Sequence, residues 1–349
     1  MINIKAQLFS DLAVGGKEAV LIALQQAIQL EHATIPPYLY ALYSLDEDKN
    51  RAITDIIQSV VIEEMLHMTL VCNILNALGG NPVLDDPTFI PTYPGPLPGT
   101  VEDQLTVGLV PFSLDLVHDT FMVIEEPEDP LKFPAPAAVA ALDQPLTIGQ
   151  FYRKIEKQIK DLGDQAFFSI PRHQIGPDLM PEAVVVVDVL TAVKAINTIV
   201  EQGEGTAQSP LEVDGADYAH YYRFAEIYHG KRLIKNPNAG PDTPFDERYI
   251  YFGESVPFDQ TGVFPVTTNP KVAAYPPNSA AQHACATFNY TYTNLLKTLH
   301  ATFNGQPDQL NAAIGIMMSL KLQAKDMMSE INPDGMNVGP SFEYQAVNP

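Results

Sequence analysis

The chain has 349 residues, 42 of them Asp or Glu against 20 Lys or Arg, for a formal charge of −22, with 46% hydrophobic and 18% charged residues. That is too apolar for a disordered acidic tail and long enough for a sizeable core in one large or two ordinary domains. The negative excess argues against unspecific nucleic-acid binding and against an anionic membrane surface as partner. Two cysteines, Cys72 and Cys285, make neither a disulfide framework nor a thiolate zinc cluster. The opening MINIKAQLFSDLAVGG lacks the basic and apolar regions of a signal peptide. No uninterrupted run of about 18 apolar residues is present to span a bilayer. A reducing cytoplasm is the expected compartment.

In chain order, the first element is a long helix over about 17–44. Leu21, Leu24, Ile28, Glu31, Ile35, Tyr38 and Leu42 step by three and four along one face. Pro36 and Pro37 are expected to kink it. A second helix over about 51–78 carries Ile53, Ile57, Val60, Glu64, His67, Val71, Ile74 and Leu78 and stops at Gly79 and Gly80. The short joint between them makes an antiparallel hairpin. A Pro-rich excursion over 82–143 follows, with a helical pattern at 114–124. A third helix is expected at 147–162 and a fourth at 181–202, with Pro181 in its first turn. A short helix near 217–229 precedes a second Pro/Gly-rich excursion over 236–278, and helices at 283–303 and 307–331 close the chain. The methionines of the last helix read as core filler. The whole predicts an all-α, single-domain four-helix bundle with long insertions and added C-terminal helices.

The informative feature is that polar residues occupy core positions. Glu31 interrupts the first apolar stripe, and Glu64 and His67 interrupt the second. A carboxylate in a bundle core is costly unless it is paired, protonated or bound to a cation. Glu64 and His67 form an E-x-x-H pair, which places both on one helix face. Bundles that hold two metal ions use one Glu from each of two helices and Glu-x-x-His from the other two. A carboxylate and imidazole set suits iron, with manganese or zinc as alternatives.

For the second half of such a site, Glu201 on the fourth helix and His220 on the short helix are candidates, each open to reading as a ligand or as a satisfied core polar group. Glu156 and Glu204 read more readily as solvated or end-of-helix acids. Glu226 and His229 form a second E-x-x-H pair but lie off the inward face. Glu63 falls off the stripe and is expected to be exposed. His32, beside Glu31, is a candidate for orienting a ligand by hydrogen bonding. His118, His173, His283 and His300 have no partner at ligand spacing. Tyr38, Tyr40, Tyr43, Tyr221 and Tyr222 read as core wedges or as donors to a metal-bound oxygen.

LEHATIPPYLYALYS and VIEEMLHMTLVCNILNALGG together resemble the opening helix pair of the ferritin-like domain of iminophenylpyruvate dimer synthases. These are the chromopyrrolate synthases of violacein- and rebeccamycin-type pigment pathways. IGQFYRKIEKQI, IVEQGEGT, HYYRF and GPSFEY extend the resemblance over roughly 8–345. In that family the domain sits within a much longer polypeptide, so this chain reads as a free-standing version. The resemblance implies a ferritin-like bundle with a metal site mapped onto Glu31, Glu64, His67, Glu201 and His220, and coupling of two tryptophan-derived imines.

The leading expectation is therefore a metal-dependent oxidoreductase with one or two iron ions, acting on dioxygen and a small organic substrate. In it the two excursions shape the substrate pocket, and a homodimer through one bundle face fits the pattern. The alternatives are iron storage or detoxification, and a metal-free scaffold that kept the fold. Storage predicts a short four-helix chain, about half this length.

Overall fold

The computed structural model describes the chain except residues 1–3, 6, 9, 11, 13–14, 101–104, 128–146, 206–209, 211–216, 241, 245–246, 331–336 and 346–349. Residues 128–143 of the first excursion and the side chain of Glu204 thus lie outside the described residues.

Helices α1 (Gly16–Tyr43) and α2 (Arg51–Ala77) pack as the antiparallel hairpin. Helix α1 runs through both prolines. Pro37 has no N–H to give the Ala33 carbonyl four residues back, and the Tyr93 hydroxyl donates to that carbonyl at 2.7 Å instead. By length and composition α2 is apolar enough to cross a membrane, but 83% of its apolar window is buried inside the protein.

Helices α3 (Ile148–Leu162) and α4 (Val189–Glu204) complete the four-helix bundle against α1 and α2. A capping box of Thr147 and Gln150 starts α3, and Gly163 with φ 71° ends it. Helix α4 begins eight residues later than Pro181 suggests. The Asp188 carboxylate accepts the Thr191 N–H at 2.8 Å and closes a second capping box. The preceding residues are held outside the helix by polar side chains. Asn73 of α2 donates to the carbonyls of Ile175 and Val184 and accepts the Ile175 N–H, while Gln174 accepts the Val186 N–H.

The first excursion re-enters the bundle through a helical segment of three parts: Leu114–Leu116, a π-helical stretch Val117–Phe121, and Met122–Ile124. An antiparallel pair that the periodicity did not suggest, β1 (Lys231–Lys235) just before the second excursion and β2 (Tyr249–Ser255) within it, packs on α5 (His220–His229). Further along, residues 259–266 cap the α1–α2 joint. Asp46 N–H donates to the Gly262 carbonyl, Phe264 N–H to that of Ser44, and Asn50 exchanges two hydrogen bonds with the Asp259 backbone.

Helices α6 (Ala280–Phe303) and α7 (Leu310–Ser329) form a second hairpin laid on α1 and α2. Met327 and Met328 fill its core, whereas Met318 is 59% exposed.

Candidate metal centre

Two groups of three side chains meet inside the bundle, and they share one member. Glu31 of α1 joins Glu64 and His67 of α2; Glu64 also joins Glu125 and His220. Within each group one potential ligand atom per residue lies within 4.8 Å of the others, and all five residues are buried. The elements explain the meeting. Helical spacing puts Glu64 and His67 on one face of α2, opposite Glu31. Glu125 caps the end of the 114–124 segment, and His220 opens α5.

Both histidines turn the same way. Nδ1 of His67 is 3.5 Å from Glu31 Oε2, and its Nε2 is 2.9 Å from Oε1 of Gln202 on α4. Nδ1 of His220 is 2.9 Å from Glu64 Oε1 and 3.5 Å from Glu125 Oε2, and its Nε2 is 3.0 Å from Glu63 Oε2. With Nε2–H given outward, each Nδ1 would offer its lone pair inward to an ion that displaced its proton. Nδ1 of His220 is buried and makes no directed hydrogen bond. Two phenols hold the carboxylates from behind. Tyr38 donates to Glu125 at 2.5 Å, and Tyr152 of α3 donates to Glu31. The Thr34 hydroxyl donates to Glu64 at 2.9 Å.

The electrostatics is that of a cluster short of positive charge. Burial and the nearby Glu125 carboxylate push Glu64 up to about 7, with His220 pulling against them. Burial disfavours charge on His220, but the carboxylates of Glu125, Glu63 and Glu64 outweigh it and raise its pKa well above the ordinary value. Burial and the flanking carboxylates raise both phenols well above the usual range, so Tyr38 and Tyr152 stay neutral donors. Burial works against charge on Glu63 too, yet the hydrogen bonds of His220 and Arg223 hold it down at about 2. Arg223, itself buried, donates from both terminal nitrogens to Glu63.

The donor set could hold a divalent metal. Three carboxylates and two imidazoles, without a thiolate, match iron or manganese. Glu64 belongs to both groups, and His220 Nδ1, beside Glu64 and Glu125, would turn to the same ion. Beside the cluster opens a small cavity, with Leu30, Ile124, Ile148, Ile199 and Val200 among its walls.

The family model described as Ferritin-like matches residues 24–229, the span that holds all five residues. The chain belongs to the ferritin-like family. It is also similar to a solved structure, a ferritin like protein from Caulobacter vibrioides, with a TM-score of 0.61 and 23% identity over 93% of this chain and 97% of that one. That likeness supports the fold alone. No curated protein matches the chain.

Against the ferritin-like ligand pattern, this chain keeps the first half and rebuilds the second. Glu31, Glu64, His67 and His220 converge. Glu201 does not join them: it is half-buried and lines an outer groove of α4 with Leu190 and Lys194. Glu156 is tied up near the surface, at 2.5 Å from Lys160 Nζ and 2.8 Å from Arg153. Glu226 is buried elsewhere, accepting from Arg232 and the Leu233 N–H, and exposed His229 stacks on Tyr251.

Two expected orientations are reversed. Glu63, expected to be exposed, is largely covered and carries His220. His32 turns away from Glu31, and its Nε2 meets the Tyr292 hydroxyl at 2.7 Å. Tyr40 bonds the Thr267 carbonyl, away from the cluster. The residues that sequence reasoning missed are Glu125, Tyr152, Gln202 and Arg223. The first excursion lines the cavity through Ile124 and Glu125, whereas none of its described lining residues comes from 236–278.

Proposed function

We propose that this ferritin-like chain is a non-haem di-iron oxidoreductase that uses dioxygen to oxidise a small, largely apolar organic substrate. Coupling of imines, as in the iminophenylpyruvate dimer synthases it resembles, is the most specific form of that activity. The carrying observation is the pair of overlapping triads, Glu31–Glu64–His67 and Glu64–Glu125–His220, joined at Glu64. Two ferrous ions bound there would supply the electrons that reduce dioxygen.

The side chains around the cluster have separable roles. Glu31, Glu64 and Glu125 offset most of the charge of two divalent ions. Tyr152 and Tyr38 each hold one oxygen of Glu31 or Glu125, and the second oxygen, turned toward a histidine Nδ1, would take the ion. Glu63 and Gln202 fix the imidazole tautomers. The apolar cavity wall favours an uncharged aromatic or aliphatic group beside the cluster and keeps bulk water away from it. Joining two imines through a carbon–carbon bond removes two electrons and two protons, which dioxygen takes up as hydrogen peroxide.

The test is oxygen consumption by protein loaded anaerobically with ferrous iron. It is run with and without the imine formed from indole-3-pyruvate and ammonia. Uptake that requires both iron and imine supports the reading. Equal uptake without the imine, with ferric iron accumulating, would instead make the chain an iron store.

A further inference from the structure

Helices α6 and α7 form a layer whose charge is unlike that of the rest of the molecule. Residues 280–325 contain one acid, Asp308, and three lysines, Lys297, Lys321 and Lys325, so the stretch carries +2 in a chain of −22. From 309 to 320 no residue is charged. Two copies of an acidic protein repel one another, and they approach at least cost where the acids are missing.

The outer face of α7 is also apolar. Asn311, Gly315, Met318 and Leu322 recur at steps of four, three and four, the spacing of a seam between paired helices, and all four are exposed. Met318 and Leu322 keep 59% and 64% of their surface in solvent, and Ile314 beside them is exposed too. Lys321 Nζ donates to Gln58 Oε1 at 3.0 Å, so α2 runs alongside, and one turn on from Gln58 it adds the exposed Ile62. Single exposed apolar residues are ordinary; a row of them at seam spacing marks a surface that another molecule covers.

Gly315 sits in the middle of that row. Glycine weakens a helix interior, and a Cβ at this position would meet nothing within 4 Å. No described neighbour within the chain requires the missing side chain, whereas a second helix lying close across the seam does.

We propose that α7 pairs antiparallel with α7 of a second copy of this chain, about a two-fold axis between Ile316 and Met317. In that register Met318 packs on the partner's Gly315 and Leu322 reaches the partner's Asn311. The same register sets Asp308 against the partner's Lys325, opposite in charge, and two-fold symmetry makes each contact twice. A 20-residue helix is about 30 Å long, and with α6 and α2 packed about 10 Å to either side the layer is about as wide. That is enough for the roughly 800 Å² per partner that stable dimers bury.

The test is sedimentation velocity of the full chain from about 1 to about 100 µM, a range that covers the weak end for an interface of this size. The wild type is expected at twice the chain mass of 38.3 kDa. Met318→Glu/Leu322→Glu brings four acids together at the seam and should raise the dissociation constant at least about 100-fold. Gly315→Glu should do the same, and because its side chain enters open space its folding is not in question. Circular dichroism checks that both variants keep their helix content. Leu190→Glu, exposed on α4, should leave the dimer intact. Register is read by Gly315→Cys/Met318→Cys, which diamide should link between copies while the natural cysteines stay buried. A wild type of single-chain mass throughout overturns the proposal. So does a dimer that keeps its affinity in both glutamate variants or loses it in Leu190→Glu, or a dimer that the cysteine pair does not link.

Discussion

Nδ1 of His220 stands 2.9 Å from Oε1 of Glu64 without a directed hydrogen bond between them. Two buried groups that close, each with another partner behind it, are arranged to share a third body. The same Glu64 reaches the His67 group, so one carboxylate belongs to both halves of the centre.

Glu64 should therefore be the variant with the broadest effect. Glu64→Ala is expected to lose both ions, whereas Glu125→Ala or Glu31→Ala should keep about one of two. Elemental analysis of the purified variants, against wild type grown with added iron, reads this directly. Equal loss in all three would mean a single-ion site.

The protonation of Glu64 gives a pH dependence in metal-free protein. Its pKa rises from 4.5 unfolded to about 7 folded, chiefly through burial. The folded state then holds a proton that the unfolded chain has released. The associated stability is present below about pH 4.5 and is lost as pH rises to about 7, by up to about 3 kcal/mol. Glu64→Gln cannot titrate and escapes that loss. Its melting temperature relative to wild type should climb by a few degrees across this window. A constant difference would show that Glu64 is ionised throughout.

Arg223 and Glu63 separate folding from metal binding. Arg223→Met strands the Glu63 charge and is expected to cost about 3–5 kcal/mol in denaturant unfolding. Glu63→Gln keeps a hydrogen-bonding group and should change stability far less. It should lower the affinity of the His220 side of the centre for ferrous ions about 10- to 100-fold, because it weakens the imidazole as a ligand. The result to look for is this split between stability and binding.

Much of this centre is legible in the sequence, for a physical reason. Glu31, Glu64 and His67 interrupt regular 3.6-residue stripes, and a regular helix converts spacing into direction. His220 shares a face with Phe224 and Ile227 and could be placed the same way. Glu125 is hidden because the segment before it is π-helical at Val117–Phe121, so register counted from Leu114 fails. It also lies in an acidic, Pro-rich string that reads as a loop. The spacing of four from core Phe121 was the available signal. Glu201 misled because it follows Val200 on an apolar helix, while the inward polar place on α4 belongs to Gln202. The N-terminus of α4 was misplaced because Pro181 looks like a first-turn proline, whereas the Asp188–Thr191 capping box sets the start.

The segment before α4 supplies a prediction about the frame. Asn73 is buried and makes three hydrogen bonds to the backbone of Ile175 and Val184. Asn73→Leu leaves one N–H and two carbonyls unpaired and should cost about 3 kcal/mol or more in chemical unfolding. Faster amide exchange at Ile175 should accompany it. An unfolding midpoint unchanged from wild type would mean that this segment is held by packing alone.

The central claim is the paired site, and its most direct test is anomalous X-ray scattering at the iron edge from crystals loaded anaerobically with ferrous iron. Two peaks are predicted, one among Glu31, Glu64 and His67 and the other among Glu64, Glu125 and His220. A single peak, or peaks elsewhere than around Glu64, would contradict it.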